Sequence, residues 1–121
     1  MSDKNFWGWS AMLDCSGCDI DAVSSRENIQ AFIAYLIADI GMTAVGPTHI
    51  EYLCEGDPKE GWTAMQMIST SSVVGHFMNT GECYIDVFSC KPFDVKVVQV
   101  VVQKFFLPRL MRVNYITRDA G

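Results

Sequence analysis

The fold of this chain is best read from one stretch, residues 73–88, whose sequence is Val73-Val74-Gly75-His76-Phe77-Met78-Asn79-Thr80-Gly81-Glu82-Cys83-Tyr84-Ile85-Asp86-Val87-Phe88. Residues 73–78 and 83–88 are rich in β-branched and aromatic side chains, which favour strands. The four residues between them are polar or turn-forming and include a glycine, as in a β-hairpin connection. The stretch therefore predicts two neighbouring antiparallel strands.

A helix is predicted on each side of this hairpin. Before it, apolar residues recur at helical spacing, namely Ile29, Phe32, Ile33, Leu36, Ile37 and Ile40. Ser24 and Glu27 have the spacing of a capping box, and Gly41 can end this helix in a left-handed conformation. After the hairpin, Pro92-Phe93-Asp94 opens a second helix, and Pro108 lies beyond its end. Its predicted buried side consists of Val95, Val98, Val101, Val102, Phe105 and Phe106.

Four further strands complete the predicted fold, at residues 6–13, 44–53, 62–69 and 111–117. Pro47 confines part of the second of these to a sheet edge or a bulge. The order β-α-β-β-β-β-α-β predicts an α+β fold, a two-layer sandwich whose antiparallel sheet carries two helices on one face. We expect a single domain over residues 1–121, and we expect its open sheet face to pair with a second copy in a homodimer.

Composition disfavours several classes of protein. The 121 residues are 50% hydrophobic with a formal net charge of −5, and basic residues cluster only between Lys104 and Arg112, which disfavours nucleic-acid binding. No apolar run has the length of a membrane helix, and residues 1–5 lack the features of a secretory signal. We therefore expect a cytoplasmic protein with no membrane partner. The odd number of cysteines, five, argues against a disulfide framework.

Three reactive side chains lie in or beside the hairpin: the Ser71 hydroxyl, the His76 imidazole and the Cys90 thiol. Because strand pairing brings distant residues together, these groups could meet in space. Taken alone, each also has an ordinary interpretation. Ser71 fits a polar turn, His76 a partly buried strand position and Cys90 an inert buried thiol. Residue types and spacing leave both interpretations open.

The order of these residues resembles a known family. His76 follows Ser71 by five residues, and Cys90 ends Ile85-Asp86-Val87-Phe88-Ser89-Cys90, which continues as Lys91-Pro92-Phe93-Asp94. Upstream, Gly8-Trp9-Ser10-Ala11-Met12-Leu13-Asp14 and Cys18-Asp19 look like the family's first strand and its following Cys-Asp pair. Over most of its length the chain resembles the prokaryotic S-adenosylmethionine decarboxylase proenzymes, which are pyruvoyl-dependent.

The resemblance implies a self-cleaving enzyme that makes its own cofactor. Cleavage between Thr70 and Ser71 would convert Ser71 into a pyruvoyl group and divide the chain into residues 1–70, the β fragment, and residues 71–121, the α fragment. His76 matches the proton acceptor of this processing, and Cys90 matches the proton donor of catalysis. The substrate amine would form a Schiff base with the pyruvoyl carbonyl, which is an electron sink for decarboxylation. The implied product, decarboxylated S-adenosylmethionine, serves spermidine biosynthesis.

Other positions match the family less closely. Thr63 stands where the family has a serine that assists processing, and its hydroxyl could fill that role. Asp14 matches an acidic position that could bind substrate, and Trp9 is one of several aromatic residues that could stack on adenine or pack in the core. Thr70 and Ser72 replace a glutamate and a histidine beside the reactive serine. These replacements leave open another substrate, arginine or ornithine, or an unprocessed non-catalytic homologue that binds a nucleoside or a protein partner.

One further motif has a metal-like spacing, Cys15-Ser16-Gly17-Cys18. A zinc site would need two more ligands, and the sequence has no second pair of this kind. A redox role is disfavoured because the acidic residues that follow oppose thiolate formation. We therefore expect structural thiols and no metal. His49, the other histidine, is expected at a strand edge or on the surface.

Overall fold

An antiparallel sheet of six strands forms one layer of the molecule, and the helices form the other. The computed structural model describes residues 6–121. The elements follow in the order β1 (Gly8–Ser16), α1 (Ile20–Val23), α2 (Arg26–Asp39), β2 (Ala44–Leu53), β3 (Gly61–Ile68), β4 (Ser71–Met78), β5 (Glu82–Ser89), α3 (Val95–Phe106) and β6 (Leu110–Arg118). This architecture confirms the predicted α+β fold with its antiparallel sheet.

The strand order across the sheet is β2-β3-β4-β5-β1-β6. Strands β2 to β5 pair in chain order and form a meander, whereas β1 pairs with both β5 and β6. Ala11 in the middle of β1 lies opposite Val87 on one side and Tyr115 on the other. The first strand in the chain is therefore central in the sheet, and it joins the hairpin to the last strand.

The predicted hairpin is present as β4 and β5. Residues 79–81 connect the two strands, and the Gly81 N–H donates to the Met78 carbonyl at 3.0 Å. Gly81 has a φ of 96°, which a residue with a side chain rarely adopts. The glycine in the predicted turn therefore permits the three-residue connection.

Both long helices are confirmed, but α1 was not predicted. Helix α2 begins after Ser25, whose hydroxyl accepts the Asn28 N–H at 3.1 Å. The predicted cap at Ser24 is wrong by one residue, because Ser24 ends α1 and its side chain donates to the β4–β5 connection. Gly41 follows α2 with a φ of 73°, which is the expected left-handed end. Asp94 caps α3, as predicted.

Two strand boundaries bear on function. Strand β1 continues to Ser16, beyond its predicted end, and β4 begins at Ser71 instead of residue 73. Ser71 is therefore the first residue of a strand and not a turn residue. Strand β2 is an edge strand with a register shift between Val45 and His49, as Pro47 led us to expect.

The two faces of the sheet have different surroundings. One face is buried under the helices, and its fully buried members include Leu13, Val73, Phe77, Ile85 and Val87. These pack in one cluster with helix residues such as Phe32 and Phe106. On the opposite face Met65 and Met67 are 54% and 63% exposed. We call this side the uncovered face. Within residues 6–121, none of the helices combines the length and the apolar composition of a membrane span.

Candidate active site

The peptide bond between Thr70 and Ser71 lies in a tight turn at one end of the sheet. Ile68 of β3 pairs with Ser71 of β4, so Ser69 and Thr70 form a two-residue turn between them. On its other side Ser71 pairs with Ser89 at the end of β5. The predicted reactive serine therefore lies where the turn enters a central strand.

The carbonyl oxygen of Thr70 accepts the Cys90 N–H at 2.9 Å. The Thr70 side chain is also held, since its Oγ1 accepts from Ser89 Oγ at 2.9 Å and donates to Met42 Sδ at 3.3 Å. Ser89 is fully buried, and its Oγ accepts the Lys91 N–H at 2.9 Å. Ser89 was not predicted as a site residue, because its only signal in the sequence is a hydroxyl at a buried position of an alternating strand.

This arrangement has a chemical consequence at the Thr70 carbonyl. A fixed N–H donor stabilises the negative charge that develops on a carbonyl oxygen when a nucleophile attacks its carbon. The Ser71 hydroxyl is on the residue that shares the same peptide bond. Cys90 supplies the donor from its backbone, which leaves its exposed thiol for another task. The exposure of Cys90 also differs from the inert buried thiol of the ordinary interpretation.

His76 lies elsewhere on β4, beside Thr63 of β3. The two residues are direct cross-strand partners, and Thr63 Oγ1 is 3.2 Å from His76 Nδ1. His76 is five residues from Ser71 along the strand, a distance of about 16 Å, and five is an odd number that places the two positions on opposite faces. The structure therefore places the Cys90 backbone at the Thr70–Ser71 peptide bond and Thr63 beside His76, but it holds His76 away from Ser71 within one chain.

Two cavities open along the uncovered face, each of about 500 Å³. The first is lined by Thr63, His76, Tyr84, Glu82 and Lys59, among others. The second is lined by Ser71, Ser72, His49, Met65 and Met67, among others. Thr63 and His76 thus share the first cavity, and Ser71 lies at the second. His49 is exposed on an edge strand, as expected.

A family model described as S-adenosylmethionine decarboxylase matches residues 9–119. The chain belongs to the S-adenosylmethionine decarboxylase family. Its fold is similar to the crystal structure of the adenosylmethionine decarboxylase from Aquifex aeolicus VF5, with a TM-score of 0.81 and 17% identity over 96% of this chain and 93% of that chain. A search of curated proteins found no match.

The family assignment confirms the predicted enzyme class, a pyruvoyl-dependent carboxy-lyase. It also supports S-adenosylmethionine decarboxylase activity. Residues 6–121 contain no group of His, Cys, Asp or Glu side chains arranged to hold a metal ion.

The two predicted substrate-binding residues have different surroundings. Asp14 is exposed on β1, opposite Tyr84 of β5 and Arg112 of β6. Trp9 is only 6% exposed and belongs to the apolar core under the helices. Its burial favours the packing alternative that the sequence left open.

A different tryptophan is available for a ligand. Trp7 is 58% exposed and lies against Phe88, with 5.6 Å between ring centroids. The Arg118 guanidinium lies 4.7 Å from the centre of the Phe88 ring on the same hollow. Phe88 is the cross-strand partner of Ser72, so this aromatic pair is close to the reactive turn. The sequence suggested Trp9 from among several aromatic residues, which included Phe6, Trp7 and Trp62, and it had no signal to separate the exposed ones from the buried ones.

The charges on the uncovered face include one perturbed carboxyl. Partial burial raises the pKa of Asp86 above its ordinary value, while the positive charge of His76 acts in the opposite direction and the Asp14 carboxylate adds to the increase. Asp86 lies opposite Val74, two residues from His76 on the neighbouring strand. The imidazole of His76 is therefore within hydrogen-bond distance of the Thr63 hydroxyl and within electrostatic range of the Asp86 carboxyl.

Proposed function

We propose that this protein is a self-processing S-adenosylmethionine decarboxylase that cuts its own chain between Thr70 and Ser71. The observation that carries the proposal is the contact between the Thr70 carbonyl and the Cys90 N–H at 2.9 Å. It supports attack by Ser71 on the preceding carbonyl, because the donor is fixed before the reaction starts. The cytoplasmic location expected from the sequence and a role in spermidine biosynthesis belong to the same proposal.

Processing would proceed in three balanced steps. The Ser71 hydroxyl adds to the Thr70 carbonyl carbon and the C–N bond breaks, which gives an ester and a free amine at Ser71. Removal of the Ser71 Cα proton then expels the Thr70 carboxylate and leaves a dehydroalanine. Hydrolysis of this group releases ammonia and leaves a pyruvoyl group at the start of the 71–121 fragment. Thr70 takes part through its backbone, so the absence of the family's glutamate at this position does not prevent the reaction.

His76 remains our candidate base for the Cα proton, and its position supports a homodimer. At about 16 Å from Ser71 it is too far for proton transfer within one chain. A second copy packed face to face on the uncovered face would bring another His76 toward the turn. The exposed apolar side chains of that face, including Leu53, Met65, Met67, Tyr84 and Ile116, favour such packing. In this dimer Thr63 orients His76 through its hydroxyl.

The residues at the turn fit a pyruvoyl group made from Ser71. Thr70 and Ser71 are half-buried, and Cys90, whose backbone N–H contacts the Thr70 carbonyl, has an exposed side chain. The pyruvoyl group would supply the electron sink for loss of carbon dioxide. Cys90 would hold the proton that returns to the substrate α-carbon, which a thiol does readily near neutral pH.

The surroundings of the turn favour S-adenosylmethionine over arginine or ornithine. The Trp7–Phe88 pair and the exposed methionines of the uncovered face offer aromatic and apolar surface, which suits an adenosyl group. A small amino acid would leave this surface without a partner. Asp14 is a further candidate for contact with the ribose or the positive charge of the substrate.

Intact-mass spectrometry of the purified protein tests the proposal. We expect two fragments divided between Thr70 and Ser71, and a single full-length species for Ser71→Ala. A wild-type chain that remains whole after long incubation would contradict self-processing and favour the non-catalytic homologue. For a cleaved protein, release of labelled carbon dioxide from S-adenosylmethionine, arginine and ornithine identifies the substrate.

A further inference from the structure

Three buried cysteines meet at the end of the sheet farther from the reactive turn. Cys15, Cys18 and Cys83 are 2%, 6% and 0% exposed. Cys15 of β1 is the direct cross-strand partner of Cys83 of β5. The Cys18 and Cys83 sulfurs are 3.9 Å apart and in contact. All three are free thiols. Both cysteines of the Cys-x-x-Cys motif, Cys15 and Cys18, therefore lie close to Cys83.

The backbone holds Cys18 against the β4–β5 hairpin. Its N–H donates to the Gly81 carbonyl at 2.9 Å, and the next residue, Asp19, donates to the Phe106 carbonyl at 2.9 Å. Gly17 precedes it in a left-handed conformation with a φ of 63°, which turns the chain out of β1. Cys18 is therefore a loop residue fixed at both sides, whereas Cys15 and Cys83 are strand residues.

We propose that Cys18 and Cys83 form a disulfide on exposure to a peroxide, and that this bond links the two fragments of the processed enzyme. The sulfurs are already in contact, and a disulfide requires a separation of about 2.05 Å, which side-chain rotation in the adjoining loop can provide. Cys18 is also the most exposed of the three thiols, so an oxidant meets it first.

The chemistry assigns different roles to the two thiols. The hydrogen bond with Cys83 lowers the pKa of Cys18 despite its burial, while the neighbouring Cys15 and Cys18 thiols raise the pKa of Cys83. The Cys18 thiolate attacks a peroxide oxygen, the O–O bond breaks, and one water leaves after protonation. The Cys83 sulfur then attacks the resulting sulfenic acid, and the hydroxyl leaves as a second water with the Cys83 proton. Two thiols are oxidised and one hydrogen peroxide is reduced.

The position of this pair relative to the cleavage bond gives the disulfide its consequence. Cys18 belongs to residues 1–70 and Cys83 to residues 71–121. After cleavage the two fragments are joined only by non-covalent contacts, among them β1 with β5 and β3 with β4. A Cys18–Cys83 bond would restore a covalent link between them. This consequence rests on the proposed self-cleavage, whereas the disulfide itself does not.

The test treats the purified enzyme with hydrogen peroxide, blocks remaining thiols and digests it without reductant. We expect a crosslinked peptide pair that contains Cys18 and Cys83 and disappears on reduction. On a denaturing gel without reductant, the processed protein should shift from two fragments to one species of full-length size. Peptide mapping is independent of processing, so an uncleaved chain that forms the crosslink contradicts only the proposed function.

Variants separate Cys18 from the other cysteines. Cys18→Ala should abolish the shift on the gel, whereas Cys15→Ala and Cys54→Ala should retain it. Cys54 is exposed and lies outside the cluster, so it controls for surface oxidation. A crosslink from Cys15 to Cys83, or a complete absence of crosslinks in the wild-type protein, would overturn the proposal. Peptide mapping of the wild-type protein shows whether the Cys18–Cys83 crosslink forms, even where a variant folds poorly.

Discussion

The two ends of strand β4 carry their reactive groups in different ways. At its start, Ser71 follows a turn whose second residue, Thr70, is held by Cys90 and Ser89 at the end of the neighbouring strand. Near its other end, His76 is held by Thr63 across the β3–β4 pair and faces a cavity on the uncovered face. The first end contains the bond that we propose is cut, with a donor at its carbonyl. The second contains the proposed base, about 16 Å from that bond along the strand.

This difference is the basis for our proposal that two copies of the chain contribute different groups to processing. One copy would supply the bond, the donor and the thiol, and the other would supply the base. A rigid strand keeps Ser71 and His76 apart within one chain, whereas two chains packed face to face could bring the two groups together. Substitutions at the two ends of β4 should therefore have different effects on cleavage and turnover.

The largest effect is expected when two defective chains are combined. Ser71→Ala retains His76 but has no nucleophile, and His76→Ala retains the nucleophile but has no base, so neither should be cleaved alone. When the two chains are co-expressed in equal amounts with different tags, about half of the His76→Ala chains should pair with Ser71→Ala and be cleaved. Mass spectrometry of each tagged chain measures this. Cleavage of His76→Ala by itself, or none in the mixture, would refute the division between copies.

Replacement of the Cys90 side chain should separate processing from turnover. Cys90→Ala keeps the N–H that contacts the Thr70 carbonyl, so cleavage should proceed at the normal rate. Loss of the proton donor should reduce decarboxylation by about 10²-fold or more. Fragment formation and carbon dioxide release are measured on the same sample, with Cys54→Ala as the exposed-cysteine control. If Cys90→Ala retains full turnover, the thiol is not the proton donor.

A smaller effect is expected at Thr63. Thr63→Val preserves the shape of the side chain and removes the hydroxyl beside His76 Nδ1, which should slow cleavage by about tenfold, the equivalent of one hydrogen bond. Thr63→Ser restores the hydroxyl and should restore most of the rate. The time course of fragment formation measures both. Equal rates for the valine and serine variants would mean that the hydroxyl does not orient the imidazole.

The local elements of this fold could be predicted from the sequence because their signals are local. The periodicity of α2, the glycine at 41 and the bulge near Pro47 each depend on a few adjacent residues. The cap of α2 is Ser25 and not Ser24, because the Ser24 side chain contacts the distant β4–β5 connection. A local sequence pattern contains no signal for such a contact. The position of β1 between β5 and β6 is likewise a property of long-range pairing.

The candidate site could likewise be predicted only in part, because its geometry depends on long-range strand pairing. The residues Ser71, His76 and Cys90 were found through a resemblance, but their distances depend on register. The separation of Ser71 from His76 follows from the start of β4 at Ser71, two residues earlier than predicted, because an odd spacing of five on one strand places two side chains on opposite faces. The contact between the Thr70 carbonyl and Cys90 had none, because it requires the pairing of Ser71 with Ser89. The choice of Trp7 over Trp9 as the exposed aromatic likewise required the packed core.

The smallest effect is expected at Asp86, and it concerns the same uncovered face. A carboxyl whose pKa is raised in the folded state destabilises the fold when it ionises. Its contribution to the free energy of unfolding therefore decreases as the pH rises through that pKa. Asp86→Asn should therefore be slightly more stable than the wild type at neutral pH, and the gain should vanish below the ordinary aspartate value of 3.8. Thermal melting across this pH range measures the difference, with Glu55→Gln in an exposed loop as a control for loss of one charge.

Because a second copy on this face would bury Asp86 further, the gain should increase with protein concentration. A gain that is independent of concentration would place Asp86 outside the interface between copies.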